Sequence, residues 1–205
     1  MVRYRGLEKL LLGCIVFVLI LYSGCIQLGE KPPAGKGILN LTKKYSKYGF
    51  SFWYPEGMEI TERALLGDYP DDNSGIIFGE YRPNKKEVLF IGITWMKIPV
   101  VLPSSDEEEY RLLNDSLSSF LEGMEEEAKI TKKEKGEIKV NKRRVLYQKY
   151  LSSTDEYPEK ILYGVVGSFY CYKNRNVYVF DLSYSKDKNE SFLLFKEFLE
   201  NFDCY

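Results

Sequence analysis

Few side chains in this sequence can do chemistry, and one absence narrows the options most. There is no histidine among the 205 residues. That removes Ser-His-Asp and Cys-His nucleophilic catalysis and the commonest ligand of zinc. Carboxylate acid–base chemistry stays open. Asp68, Asp71, Asp72 and Asn73 crowd one short segment and offer the oxygen ligands that calcium takes. Their spacing is not that of an EF-hand and Pro70 interrupts them, so a solvated loop is expected and no metal or cofactor site is assigned. Asp181 sits in an apolar run between Phe180 and Leu182. Buried, it would mark a site; a strand with one polar face is the plainer reading. A basic run follows Glu125, Glu126 and Glu127: Lys129, Lys132, Lys133, Lys135, Lys139, Lys142, Arg143 and Arg144. Its end, Lys142, Arg143 and Arg144, is the candidate partner surface, read as solvated cations facing anionic headgroups or an acidic protein. Glu134 and Glu137 dilute it, and cations beyond a helix C-terminus also suit the helix dipole.

The four cysteines set the address. Arg3, Arg5 and Lys9 precede an apolar stretch, Leu10 to Tyr22, closed by the small residues Ser23 and Gly24 and then by Cys25. This order is an export signal. A cysteine directly after the small residues predicts a lipoprotein, cut before Cys25 and lipidated there. Tyr22 stands where lipoprotein signals usually carry Leu, and an uncleaved signal anchor is the alternative. Leu10 to Gly24 is short for a membrane span, which needs roughly 20 residues. Residues 1–25 are thus the leader and 26–37, rich in Pro and Gly, a flexible tether. Residues 38–205 are the globular domain, expected outside the membrane that anchors it. Cys14 lies in the leader, which leaves Cys171 and Cys204 as an even pair in an exported domain and predicts a disulfide. Two free buried thiols are the alternative.

Without Arg3, Arg5, Lys9 and Glu8, the chain carries 26 basic and 29 acidic residues, a net charge of −3. That is no nucleic-acid footprint. The 17 Tyr and 12 Phe fit a sheet with large side chains. Of three Asn-X-Ser/Thr sequons, the one at Asn40 is the most accessible candidate for glycosylation.

The elements that must position these residues read as strands and two helices. Leu39 to Tyr45 and Tyr48 to Tyr54 form a hairpin around Ser46 and Lys47, with Phe50 and Phe52 on one face and Ser51 and Trp53 on the other. Met58 to Leu65 is a short strand; Ile76 to Arg82 and Glu87 to Lys97 pair across Pro83 and Asn84. Ser105 to Ala128 is a helix, opened by a Ser105–Glu108 capping box and striped by Leu113, Leu117, Phe120, Leu121, Met124 and Ala128. Glu137 to Val140 and Arg143 to Ser152 pair across Asn141 and Lys142, and Lys160 to Tyr172 pairs with Val177 to Tyr184. Residues 161–171 are apolar on both alternating faces, as in a strand covered on both sides. Asn189 caps a last helix carrying Phe192, Phe195, Phe198, Leu199 and Phe202 on one face. Two amphipathic helices on a hairpin-built sheet give an α+β fold: an α-β-α sandwich around a mainly antiparallel sheet.

YGFSFWYPEG at residues 48–57, and VYVFDLSYS followed by SFLLFKEFLENF at the end, resemble the PsbP-like superfamily, which includes exported lipoprotein relatives of PsbP and DcrB. The resemblance spans roughly residues 39–203 and implies the same sandwich. It implies no catalytic residues, since these proteins act mainly in assembly and binding. PsbP is linked to metal ions through residues including histidine, which this chain lacks. The expected function is a non-catalytic binding or assembly factor for an unknown envelope protein, not an enzyme. The alternative is a small-ligand carrier or sensor with a pocket between sheet and helix. A weaker third option is a hydrolase using carboxylates alone.

Overall fold

A computed structural model describes residues 37–84, 87–98, 103–153 and 161–205. The leader with Cys25, and the tether as far as residue 36, lie outside the described residues. No helix among the described residues is long and apolar enough to cross a membrane.

Among the described residues, ten strands and two helices follow in order. β1 (Leu41–Lys47), β2 (Phe50–Pro55), β3 (Glu59–Arg63), β4 (Ser74–Asn84) and β5 (Glu87–Lys97) precede α1 (Asp106–Glu127). β6 (Lys129–Val140), β7 (Arg143–Ser153), β8 (Leu162–Cys171) and β9 (Asn176–Tyr184) lead to α2 (Lys188–Glu200) and the short β10 (Asp203–Cys204). The main sheet has seven strands in the order β3-β4-β5-β9-β8-β7-β6, antiparallel throughout. β8 lies inside it and is apolar on both faces, as its sequence requires. Leu113, Leu117 and Leu121 of α1 pack on one face against Leu146, Tyr150, Val166, Tyr170, Val177 and Val179. Leu194, Phe195, Phe198 and Leu199 of α2 pack on the other with Val145, Val165, Phe169 and Phe180. The expected sandwich is therefore present.

The first hairpin departs from expectation in two ways. Its turn is Tyr48–Gly49, not Ser46–Lys47, because Lys47 pairs with Phe50. Both turn residues have positive φ, 52° and 73°, and Gly49 takes the left-handed conformation without a side-chain penalty. The hairpin also stays out of the main sheet. With β10 it forms a separate three-stranded sheet, β1-β2-β10, which covers the α2 face beside the helix. Phe50 fastens it there, its ring 5.1 Å from Trp95, 5.5 Å from Tyr178 and 5.3 Å from Phe202. Glu62 of β3 supplies a polar tie. It accepts from Tyr45 (3.1 Å), Lys47 (2.8 Å) and Tyr48 (2.6 Å). Desolvation pushes its pKa up, but these donors outweigh it and hold the carboxyl below its ordinary value.

The helix ends show how caps compete. Ser105 caps α1 and accepts from the Glu108 N–H at 3.2 Å. The reciprocal half of the box is shifted, since Glu108 accepts from the backbone N–H and hydroxyl of Ser104, both at 2.7 Å. In α2 the cap is Asp187, not Asn189. One Asp187 oxygen accepts from the N–H of Asn189 (2.6 Å) and of Glu190 (3.1 Å), and an ionised acceptor suits the positive helix end better than an amide. β6 also begins eight residues earlier than expected, so most of the basic run is an edge strand.

Candidate functional site

Four segments meet at one end of the fold. The β6–β7 turn, Asn141–Lys142, has φ of 50° and 65°, the left-handed pair that a two-residue hairpin needs. Asn141 Nδ2 donates to the Glu200 carbonyl at 2.9 Å, pinning the turn to the end of α2. Arg143 Nη2 donates to the Phe202 carbonyl at 2.6 Å. Its guanidinium lies 5.3 Å from the Phe169 ring centre and 5.8 Å from that of Phe202. Burial holds its pKa below the ordinary value, opposed by the charge of Asp203. Cys171, at the end of β8, is joined to Cys204 of β10 as the cysteine count predicted, with Cα atoms 6.5 Å apart.

Between these segments opens a cleft of about 610 Å³, walled by Trp53, Arg143, Tyr172, Phe202 and the disulfide. Tyr172 is 55% exposed, packs edge-on against Tyr170 at 4.9 Å and donates to Glu109 at 3.0 Å. Lys173, Glu200 and Asp203 mix charges at the rim. No nucleophile–base pair is present in this lining. What the cleft offers is aromatic area beside a half-buried guanidinium whose one hydrogen bond leaves other donors for a carbonyl or carboxylate.

The structure corrects the reading of the basic run. Of Lys142, Arg143 and Arg144, only Lys142 is solvated. Arg143 is built into the cleft. Arg144 is clasped between the hairpin and the start of α1, pairing with Glu137 at 3.1 Å and donating to the Asp106 carbonyl at 2.9 Å. Tertiary contacts, which a charge run does not reveal, absorb both arginines. Reversing all three charges would therefore disturb the fold itself.

The acidic loop is also committed internally. Asp71 Oδ1 accepts from the N–H groups of Asn73 and Ser74, each at 2.8 Å, and these bonds lower its pKa. Its carbonyl accepts from Trp95 Nε1 at 2.8 Å, fixing the loop to the core. Among the described residues no three Asp, Glu or Cys side chains converge as a metal site. Asn40 is exposed.

Asp181 is no solvated polar residue. It lies on the α1 face, where the Tyr150 ring passes over Gly164 so closely that a Cβ there would sit 2.0 Å from it. The Tyr150 hydroxyl donates to Asp181 Oδ1 at 2.6 Å and lies 2.6 Å from Ser183 Oγ. Burial pushes the Asp181 pKa up to about 7, against the bonds from Tyr150 and the Leu182 N–H. Neither side-chain partner is a carboxylate, so no carboxylate pair forms. A group whose folded pKa lies above its unfolded value binds extra protons when folded, so it loses stability as pH rises from about 4 to about 7. The residue keeps some exposed surface, which tempers the cost. We expect Asp181→Asn to flatten this decline and raise stability at pH 8 by about 1–3 kcal/mol. Urea unfolding at pH 5 and pH 8 reads the difference; equal pH slopes for variant and wild type would contradict it.

Trp53, Tyr172 and Phe202 were not foreseen as cleft walls. The one legible hint was the alternation that put Trp53 opposite Phe50 and Phe52.

No family model and no curated protein matches the sequence. Solved structures do. The cyanobacterial PsbP protein CyanoP of Synechocystis sp. PCC 6803 aligns with TM-score 0.54 at 15% identity, over 86% of this chain and 99% of that one. The Ran-binding protein Mog1p of Saccharomyces cerevisiae aligns with TM-score 0.47 at 11% identity, over 81% of this chain and 96% of that one. A protein of unknown function from Pseudomonas aeruginosa gives TM-score 0.39 at 10% identity, covering 77% and 93%. The chain has the PsbP-like fold, as its two aromatic ends implied.

Proposed function

We propose that this chain is an extracytoplasmic binding or assembly factor, tethered to the membrane through Cys25, and that the Arg143 cleft holds an envelope protein. The observation that carries this reading is the cleft itself: the exposed Tyr172 and the half-buried Trp53 beside a guanidinium with donors to spare, held by a disulfide. Aromatic and Arg side chains in such a setting are the usual anchors of protein interfaces. The export signal agrees with the disulfide, which persists in oxidising compartments. Fold likeness to a PsbP protein raises this reading without supplying a partner.

The test is affinity capture from solubilised membranes with Tyr172→Ala combined with Lys142→Glu. Both positions are exposed, so folding should survive. The double variant is expected to lose the captured partner at least tenfold relative to wild type. An unchanged partner profile would discard the cleft as the interface.

A further inference from the structure

A second cleft, sharing no residue with the first, lies between the N-terminal half of α2 and strands β6 to β8. Its volume is about 640 Å³, within the range of about 300–1,000 Å³ usual for small-molecule sites. The wall is apolar: Leu151, Tyr163 and Val165 from the sheet, Phe192 and Leu193 from the helix. Leu193 is 53% exposed, an apolar side chain left in water at this site. Three lysines and one glutamate line the same cleft. Lys149 and Glu134 neutralise one another at 2.8 Å, Tyr147 donates to Glu134 at 3.0 Å, and the Lys149 ammonium lies 4.2 Å from the Phe192 ring centre. Glu134 is held below its ordinary pKa first by the bond from Lys149. Lys133 and Lys188 form no ion pair or hydrogen bond among the described residues. Asp187, beside Lys188, spends one carboxylate oxygen on capping α2.

An apolar trough flanked by Lys133 and by Lys188, whose nearest carboxylate, Asp187, is partly spent on the helix cap, is complementary to one chemistry. We propose that this cleft binds an anionic single-chain amphiphile, its acyl chain along Phe192, Leu193 and Tyr163 and its carboxylate or phosphate head between Lys133 and Lys188. The lysines supply charge attraction for the head, and the trough supplies burial for the chain. A neutral amphiphile would gain only the second term, and a bare anion only the first. Two sources offer this chemistry, a dissolved acyl anion and a lysophospholipid from the bilayer.

The test uses the full-length chain in phosphatidylcholine nanodiscs, with empty discs as reference, titrated calorimetrically below the critical micelle concentration. Dodecyl phosphate should bind saturably. Each added CH2 in a decyl-to-tetradecyl series should tighten binding by up to about fourfold. Inorganic phosphate should not bind. Lys133→Glu with Lys188→Glu should weaken dodecyl phosphate at least tenfold and leave dodecyl maltoside within about twofold, whereas Leu193→Asp should weaken both. All three side chains are exposed, and unchanged melting of the variants controls for folding. Tighter binding of lauroyl lysophosphatidylglycerol than of dodecyl phosphate assigns the membrane as source, and the reverse assigns the dissolved anion; either supports the proposal. No saturable heat above empty discs, binding independent of chain length, or a double lysine variant equal to wild type would overturn it. Partner capture at the Arg143 cleft is read separately and does not depend on this outcome.

Discussion

Replacing both bridged cysteines, Cys171→Ser with Cys204→Ser, is expected to lower the stability of the domain by about 3–4 kcal/mol. The bridge closes a loop between residues 33 positions apart. In the chain-entropy description, freeing a loop of that length returns most of this amount to the unfolded state. For a domain of this size the melting temperature should fall by roughly 6–15 °C. A local consequence follows from the topology. β10 pairs with β2 through only two residues, Asp203 with Ser51 and Cys204 with Phe50. Without the bridge, so short a ladder must be held by Phe202 and by the bond from the Tyr205 N–H to the Gly49 carbonyl at 2.9 Å. The C-terminal wall of the Arg143 cleft should loosen first, seen as faster amide exchange at residues 202–205 than in the wild type. Matching melting curves for the two proteins would remove the disulfide from the account of stability.

Phe50→Ala should cost about 3–5 kcal/mol, the usual range for emptying a fully buried aromatic site. Phe50 is completely buried, and its ring meets Tyr45 and Phe52 in its own sheet and Trp95, Tyr178 and Phe202 beyond it. It is the main knob with which the small sheet grips the large one. Truncation leaves a void that stiff aromatic neighbours fill poorly. Phe50→Leu keeps most of the volume and should cost less than half as much. Denaturant unfolding gives both values, and near-UV circular dichroism should lose the signal of Trp95 in the alanine variant. A loss below about 1 kcal/mol for Phe50→Ala would mean that the two sheets adhere by other contacts.

Much of this fold is legible along the chain because its signals are local. The Leu113–Leu117–Leu121 stripe and the Ser105 cap fix α1 almost to the residue. The doubly apolar run of β8 announces an interior strand. Where two local signals compete, the sequence misleads by a residue or two. Asp187 outranks Asn189 as a cap because it is charged. Gly49 draws the first turn away from Ser46 and Lys47 because it alone takes positive φ freely. The separate small sheet was not legible, since alternation identifies a strand and one buried face but not its partner. The site suffers most from this gap. Arg143 and Arg144 look like Lys142 in the sequence, yet the turn between them and α2 carries one into an aromatic slot and the other onto α1. The cysteine pair is readable from number and the expected compartment, but its place in the wall of a cleft depends on how far the chain travels after α2. Asp181 stands out by its apolar neighbours; Tyr150, which donates to it, lies on another strand that carries no sign of the pairing.

The most direct test of a partner-binding cleft is site-specific photo-crosslinking in intact membranes, with the cross-linking residue at Tyr172 in one strain and at Glu59 in another. Both positions are exposed, and only the first lines the cleft. The account predicts a discrete adduct with one envelope protein from Tyr172, absent from Glu59. Equal labelling from both positions, or no adduct from Tyr172 while the protein is membrane-bound and folded, would contradict it.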